Sequence, residues 1–227
     1  MLKPSSKILT GILLVIAITA AIIFLTAPIA FWLTGLTKIN GTIFFVSRVL
    51  IWCSLGVVLY YTRYIEKQPL LIWKNNRYPI GFYLLSVLIL LVVIYTGAGI
   101  LVRILTALTH NETSNKLLGI VQIFKHNIPF LLFTALTAGI VEELVFRGYL
   151  QPRLQLLFNN SWAAIVVSAI LFGLLHITYG TISNVVTPLF IGLIFAWYYQ
   201  KYKNIKVLIL CHFLIDTISL FILIKTH

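Results

Sequence analysis

The feature that most constrains the fold is a series of seven long, almost uncharged apolar stretches separated by short polar connections. A helix of about 20 apolar residues crosses about 30 Å of hydrocarbon, and backbone polar groups inside a bilayer must find their hydrogen bonds within the protein. The pattern therefore predicts an all-α fold, a polytopic transmembrane helix bundle of about seven spans. The predicted spans cover residues 8–33, 42–62, 80–105, 127–152, 163–178, 185–199 and 205–224.

The segment 111–125 leaves the number of spans open. It is amphipathic, so it either lies along the membrane surface or forms an eighth, short or re-entrant element. The other connections are short and no repeat is visible, so we expect a single integral-membrane domain over 1–227. Within it, 1–126 holds three N-terminal spans with their connections, and 127–224 holds a four-helix core. The first stretch is too long for the apolar core of a signal peptide, which favours an uncleaved span.

Composition excludes several classes of protein. Hydrophobic residues make up 60% of the chain and charged residues 10%, against roughly 25% charged residues in a soluble domain. The net charge of +12 comes without a long basic run, which is typical of lipid contact and topology rather than of nucleic-acid binding. Cys53 and Cys211 lie in apolar stretches and favour neither a disulfide nor a cysteine metal site. The expected surroundings are a lipid bilayer, and no nucleic-acid partner is expected. The sequence does not determine the oligomeric state.

The distribution of Lys and Arg predicts the orientation. With the amino terminus inside, eleven of these residues fall on the cytoplasmic side and five outside. By the positive-inside rule, we expect a multi-pass protein of the cell membrane with a cytoplasmic amino terminus. Arg48, near the start of the second stretch, is expected to extend its long side chain to the membrane interface.

Three of the five acidic residues lie in apolar stretches, namely Glu142, Glu143 and Asp216. An ionised side chain there costs at least about 2.5 kcal/mol on insertion scales, so each indicates function. Glu143 and Arg147 are four positions apart and can form an ion pair on one helix face. Glu142 points about 100° away and has no local partner. It is therefore the candidate general base.

Two further stretches each carry a histidine at helical spacing from a second residue. Phe172 precedes His176 by four positions, and His212 precedes Asp216 by four. A lone intramembrane histidine is more often a hydrogen-bonded packing residue than a catalyst. Together with Glu142, however, these polar residues each carry a separate insertion cost. The set therefore indicates a site assembled from three helices.

Other polar residues have weaker assignments. Tyr149 lies on the Glu142 face and Ser219 on the His212 face, so both are candidates to border a cavity. His110, His126 and His227 lie in connections or at the terminus, where we expect them to be solvated.

The motifs EExxxR at 142–147, FxxxH at 172–176 and HxxxD at 212–216 occur in this order, each in its own apolar stretch. The set resembles the CPBP family of intramembrane glutamic endopeptidases. That family is also called the CAAX protease/bacteriocin-processing or Abi family, and it includes the type II CAAX prenyl endopeptidases. The resemblance covers about 127–224.

The resemblance implies a role for each matching residue. Glu142, helped by His176, would activate a water for attack on a peptide carbonyl. His212 and Asp216 would occupy the oxyanion-stabilising positions. Three supporting residues would hold the helix geometry and shape the pocket: Glu143, Arg147 and Phe172.

One position departs from the prenyl endopeptidases, which usually have asparagine where this chain has Asp216. An asparagine amide can donate to an oxyanion, whereas an aspartate donates only when protonated. Bacterial relatives often have aspartate here, so a direct oxyanion role and a role in orienting His212 both stay open. Two histidines and several carboxylates could bind a divalent ion. No HExxH pair is present, however, and the resemblance implies metal-independent chemistry, so we expect no metal and no cofactor.

The resemblance implies an intramembrane, metal-independent endopeptidase, and the predicted topology opens its cavity towards the cytoplasm. Richness in Ile, Leu, Lys and Asn is typical of bacteria, so the expected substrate is a bacterial peptide or membrane-associated protein. The alternative is a non-proteolytic bacteriocin-immunity or scaffold protein of the same fold. A proton-coupled transporter is less favoured because no pseudo-repeat is visible. His176 conflicts with a cytoplasmic cavity, since a straight fifth span would carry it towards the opposite face.

Overall fold

Helices make up almost all of the described structure. The computed structural model describes residues 6–109 and 114–226, and within these ranges it contains nine α-helices and no β-strand. The helices are α1 Ser6–Thr34, α2 Gly41–Tyr60, α3 Ile80–Thr109, α4 Asn115–Phe124, α5 Ile128–Glu142, α6 Gln151–Phe158, α7 Ser161–Leu174, α8 Ser183–Tyr202 and α9 Ile205–Thr226. The predicted helix bundle is confirmed. His110 and His227 lie outside the described residues.

Six helical segments of the described chain are long and apolar enough to cross a membrane, so the chain is a multi-pass membrane protein. They are Ser6–Thr34, Gly41–Glu66, Ile80–Leu108, Ile128–Phe158, Ser161–Tyr179 and Ile205–Thr226. Each of these overlaps one of the seven predicted stretches. The remaining stretch, 185–199, forms α8, which is not among the six. The amphipathic segment forms α4, whose ten residues span about 15 Å and are too short to cross.

Asparagine and serine side chains define where several helices begin. Asn40, Ser114, Asn127 and Asn160 each accept a hydrogen bond from a backbone N–H in the first turn of α2, α4, α5 and α7, respectively. Such caps satisfy amide groups that have no partner within the helix. The connections before these helices are therefore fixed by local sequence.

Helices α5 and α6 are joined by the π-helical segment Glu143–Leu150 into one rod, Ile128–Phe158. The predicted end of this span at residue 152 is therefore wrong. Pro152 lies in the first turn of α6, inside this rod, so the helix continues past a residue that has no backbone N–H to donate. The chain turns only at Asn159, which has a φ of 51°.

The alternating helices bring the connections to two ends of the bundle. The end called here the basic end holds the start of α1 and the connections 67–79, 159–160 and 203–204. The opposite end, called the cavity end, holds the connections 35–40, 125–127 and 175–182 and the end of α9.

Buried polar contacts close the basic end. Arg153 of α6 donates to Glu66 Oε1 at 2.8 Å and to the carbonyls of Pro69 and Leu70 at 3.0 Å. Arg153 is fully buried, although it is one of the eleven Lys and Arg residues that predict a cytoplasmic amino terminus. Next to these contacts, the Lys203 ammonium lies 3.1 Å from the centre of the Trp73 ring. Partial burial lowers the pKa of Lys203 to about 8.

The N-terminal spans pack directly on the rod that carries the glutamate pair. Ile12 of α1 and Ile51 of α2 belong to the same buried cluster as Val141 and Val145, which flank Glu142 and Glu143. This packing places α1 and α2 beside the candidate site.

Candidate active site

The two adjacent glutamates lie where the rod changes from α-helix to π-helix. Glu142 ends α5 and Glu143 begins the π-helical segment. One turn earlier, a Cβ on Gly139 would lie 3.0 Å from the Ile209 carbonyl oxygen. The absence of a side chain at Gly139 therefore allows α5 to approach α9 closely. This approach brings the carboxylates of α5 to His212 of α9.

Glu143 is the centre of a buried charge network. Its Oε1 accepts from Arg147 at 3.0 Å and from His212 Nδ1 at 2.8 Å. The Glu143 and Arg147 side chains have no exposed surface. The Arg147 guanidinium also lies 4.2 Å from the centre of the Phe172 ring. The predicted ion pair is therefore present, and Glu143 additionally fixes the orientation of the His212 ring.

Glu142 faces a different environment. Its Oε2 has no hydrogen-bond partner among the described residues, and its side chain is 14% exposed. His212 Nε2 lies 4.0 Å from this oxygen and 3.6 Å from Asp216 Oδ2. Since Nδ1 of His212 is held by Glu143, only Nε2 faces the other two carboxylates.

His176 lies just beyond the end of α7. The helix ends at Leu174, and His176 has φ −96° and ψ 3°, followed by the 3₁₀ turn Ile177–Tyr179. His176 Nδ1 is 3.1 Å from the Phe172 carbonyl oxygen. A carbonyl can only accept, so Nδ1 carries the hydrogen. In the neutral ring, Nε2 then has a free lone pair.

The rod explains how His176 reaches the depth of Glu142. The rod and α7 meet at the connection 159–160, with Glu142 lying 16 residues before Phe158 and His176 lying 15 residues after Ser161. At 1.5 Å per residue, both are roughly 22–24 Å from that connection. The conflict over His176 arose from placing Glu142 too close to the end of a shorter span.

Two cavities meet at these residues. The larger, of about 530 Å³, is lined by the four candidate catalytic residues Glu142, His176, His212 and Asp216. The smaller, of about 160 Å³, shares Glu142 and His176 with it. The glutamate and histidine therefore border both cavities.

Residues 124–218 match the family described as type II CAAX prenyl endopeptidase Rce1-like. These residues form an Rce1-like domain. The resemblance to the CPBP family is thereby confirmed for this part of the chain. The match covers less than half of the chain and shows that this part is similar to a CAAX protease-type domain. No curated protein and no solved structure matches the chain.

The Rce1-like domain contains every candidate site residue but not the whole cavity wall. Arg48 of α2 lies outside the domain and lines both cavities. Its guanidinium lies over Phe44, one turn nearer the start of α2, so the expectation that its side chain extends to the interface stays a prediction, whereas its place in both cavity walls was not predicted. Sequence reasoning missed it because one charged residue near a helix start gives no sign of the tertiary contacts around it.

Of the two weaker candidates for the cavity border, Ser219 and Tyr149, only one lines the larger cavity. Ser219 lines the larger cavity. Tyr149 does not, because it is fully buried and its hydroxyl approaches Gly11 of α1. The assignment of Tyr149 to the Glu142 face assumed an unbroken α-helix. A π-helix closes its hydrogen bonds over five residues instead of four, so residues beyond Glu143 fall on other faces.

Both cavities lie towards the cavity end of the bundle. Their lining comes from within 22–51, 102–142, 175–191 and 212–223, and none of it from 52–101, 143–174 or 192–211. The expectation of a cavity open to the cytoplasm is therefore incompatible with a cytoplasmic amino terminus, since Ser6 begins α1 at the opposite end.

The arrangement of His, Cys, Asp and Glu side chains shows whether the described residues could bind a metal ion. Among residues 6–109 and 114–226, no three His, Cys, Asp or Glu side chains are grouped so as to hold a metal ion. Glu143 Oε1 and His212 Nδ1 are already bonded to each other.

Proposed function

We propose that the chain is an intramembrane endopeptidase in which Glu142 and His176 activate a water for peptide-bond hydrolysis. The observation that carries the proposal is the Glu142 carboxylate oxygen without a hydrogen-bond partner, in a cavity shared with His176. A buried polar atom without a partner is costly. A water held there would satisfy it.

The proposed chemistry begins with that water. Glu142 accepts one of its protons while the free Nε2 of His176 accepts a hydrogen bond from the other, which orients the oxygen. The resulting hydroxide attacks the peptide carbonyl, and the C–N bond breaks as Glu142 returns its proton to the leaving nitrogen. Each proton taken from the water is thus accounted for in the two products. The mechanism requires no metal or cofactor.

His212 is the proposed stabiliser of the oxyanion. Its Nδ1 donates to Glu143, so when protonated at Nε2 the ring directs a second N–H into the cavity. Asp216, 3.6 Å from Nε2, carries a carboxylate that orients this ring. Glu143, Arg147 and Phe172 hold the arrangement: Arg147 pairs with Glu143 and packs on the Phe172 ring.

The proposed substrate is a bacterial peptide or membrane-associated protein that reaches the cavity from the bilayer. The larger cavity combines apolar residues with the hydroxyls of Ser183 and Ser219, which suits an apolar peptide whose backbone needs partners. We further propose that the chain lies in the cell membrane with a cytoplasmic amino terminus. The cavity end then faces outwards.

The test uses Glu142→Gln and His176→Ala with Thr187→Val as the matched control. Thr187 lines the same cavity, and valine preserves its shape. Cleavage of a quenched peptide library by purified protein in lipid is expected to fall by at least about 100-fold in both site variants, as loss of general acid–base catalysis implies. The control should keep its rate, and a chelator should leave wild-type cleavage unchanged.

Comparable cleavage by wild type and both site variants would show that the assigned chemistry is wrong. Loss of activity in chelator, restored by Zn²⁺, would contradict the metal-free mechanism. If no cleavage occurs but a bacteriocin-immunity phenotype persists in Glu142→Gln cells, the non-proteolytic alternative replaces the proposal.

A further inference from the structure

Arg48 is a cation in a membrane-spanning helix that makes no direct ion pair with an acidic residue of the described part of the chain, although Glu142 and Asp216 attract it from a longer distance. Its Nε donates to Ser47 Oγ at 3.3 Å, and its guanidinium carbon lies 4.6 Å from the centre of the Phe44 ring. The ion pairs between described residues do not include it. Its two terminal amino groups therefore have no acceptor there. A charge kept inside a membrane-spanning helix without a directly bonded counter-charge marks a ligand or substrate pathway.

The two cavities differ in charge. The smaller is lined by two cations, Arg48 and Lys116, and by one carboxylate, Glu142. The larger has Arg48 with two carboxylates, Glu142 and Asp216. The smaller cavity therefore has a net positive lining and the larger does not, and Glu142 lies at the boundary between them.

Hydrogen bonds hold the second cation of the smaller cavity in place. Lys116 Nζ donates to the Thr178 carbonyl at 3.2 Å and lies 5.6 Å from the centre of the Tyr179 ring. Ser114 donates to the Tyr179 carbonyl at 2.5 Å, which fixes α4 on the segment that follows His176. Lys116, one of the two cations that line the smaller cavity, is thus held by the same segment that presents the candidate catalytic histidine.

We propose that the smaller cavity is an anion subsite in which Arg48 binds a carboxylate of the peptide substrate. The proposal rests on the proposed function in taking a peptide as the ligand. The planar guanidinium can form two parallel hydrogen bonds to a carboxylate, and its terminal amino groups are free to do so. The scissile bond then lies at Glu142 and His176, and the apolar remainder of the peptide occupies the larger cavity.

The carboxylate has two sources, the carboxyl end of the peptide or an acidic side chain, and four probes separate them. Each is a short apolar peptide with fluorescein at its amino end. Two differ only in a free or an amidated carboxyl end. The other two are amidated and differ only in one Glu or Gln. Binding is measured by fluorescence anisotropy on the full-length Glu142→Gln chain in nanodiscs of zwitterionic lipid, so that no anionic headgroup competes.

Arg48→Gln and Arg48→Lys are compared with Arg103→Gln. Arg103 is exposed on α3 near the same end and lines neither cavity, so it controls for loss of one positive charge. We expect the preferred carboxylate probe to bind about 10- to 100-fold more weakly to the Arg48→Gln chain, as loss of hydrogen bonds to a charged group implies. The Arg48→Lys chain should be intermediate, and the uncharged probes should not distinguish the variants.

Two results would overturn the subsite. One is equal binding of the acid and amide forms in both probe pairs, a comparison that needs no Arg48 variant to fold. The other is an equal loss for charged and uncharged probes on Arg48→Gln. Failure of the proposed function gives a different result. The wild-type chain then binds the carboxylate probe, the Arg48→Gln chain binds it more weakly, and the wild-type chain does not cleave it. Where cleavage occurs, Arg48→Gln should raise KM for the carboxylate substrate and leave kcat within about threefold.

Discussion

At the scale of single residues, the two glutamates have separate structural surroundings although they are adjacent. Glu143 is fully enclosed, and one of its oxygens accepts from both Arg147 and His212. Glu142 has an oxygen without a partner at the wall of a cavity. Replacing Glu143 should therefore affect mainly stability, and replacing Glu142 should affect mainly the proposed chemistry.

The charge of Glu143 should matter more to folding than that of Glu142. Glu143→Gln leaves the buried Arg147 guanidinium without its counter-charge, which we expect to lower the free energy of unfolding by about 3–5 kcal/mol. Glu142→Gln removes no ion pair shorter than 4.0 Å. It should therefore change the free energy of unfolding by less than about 1 kcal/mol. Thermal unfolding in detergent measures both.

The double variant Glu143→Gln with Arg147→Met provides the control. Removing both charges together should recover part of the stability, because no uncompensated ion remains. Equal destabilisation by the two single glutamine variants would contradict the assigned division between Glu142 and Glu143.

Residue spacing predicted part of this site. An i, i+4 rule was sufficient for Glu143 with Arg147, because both residues belong to one helix. It could not find the hydrogen bond between Glu143 and His212, which are 69 residues apart, or the position of Arg48. Those contacts depend on how closely α2, α5 and α9 pack, and local periodicity has no information on that distance.

At the scale of elements, the π-helical segment Glu143–Leu150 determines what the rod presents to its neighbours. It directs Tyr149 to α1, where the Tyr149 hydroxyl is the nearest atom to a Cβ built on Gly11. The helical spans themselves followed from apolar length. The π-helical segment did not, because apolar length does not distinguish a π-helical turn from the α-helix around it.

The contact at Gly11 gives a test of this packing. Gly11→Ala should lower the free energy of unfolding by about 1–3 kcal/mol, the usual cost of overpacking. Tyr149→Phe should restore part of that loss in the double variant, because it removes the atom nearest to the new methyl group. Thermal unfolding of the single and double variants measures the coupling.

Gly56→Ala is the matched control on α2. A Cβ at Gly56 meets nothing within 4 Å, so alanine should be neutral or should stabilise the helix by about 0.5–1 kcal/mol. If Gly11→Ala behaved like Gly56→Ala, the close contact between α1 and Tyr149 would be wrong.

At the scale of the whole molecule, the two ends of the bundle differ in both charge and access. Among described residues outside buried ion pairs, eight Lys and Arg lie near the basic end. They are Lys7, Arg63, Lys67, Lys74, Arg77, Lys201, Lys203 and Lys206. Six lie near the cavity end: Lys38, Arg48, Arg103, Lys116, Lys125 and Lys225. The positive-inside rule thus still favours a cytoplasmic basic end.

Thiol labelling in intact cells tests the orientation. Lys38→Cys and Lys74→Cys place an exposed thiol at the cavity end and the basic end, respectively. The Cys53→Ser background removes the exposed native thiol, and Cys211 is buried. A membrane-impermeant maleimide should label position 38 only, and both positions once the cells are permeabilised. Labelling of position 74 alone in intact cells would reverse the orientation and make the cavity cytoplasmic.

The closed basic end has a consequence for the cell that makes the protein. Buried hydrogen bonds join Arg153 to Glu66 and to the connection 67–79 at that end. Neither cavity is lined by residues from the basic end. In the proposed orientation, both cavities at Glu142 face away from the cytosol in which new chains are made. Such a peptidase would need neither a propeptide nor an inhibitor during its own synthesis, because the bilayer itself would separate it from bystander proteins.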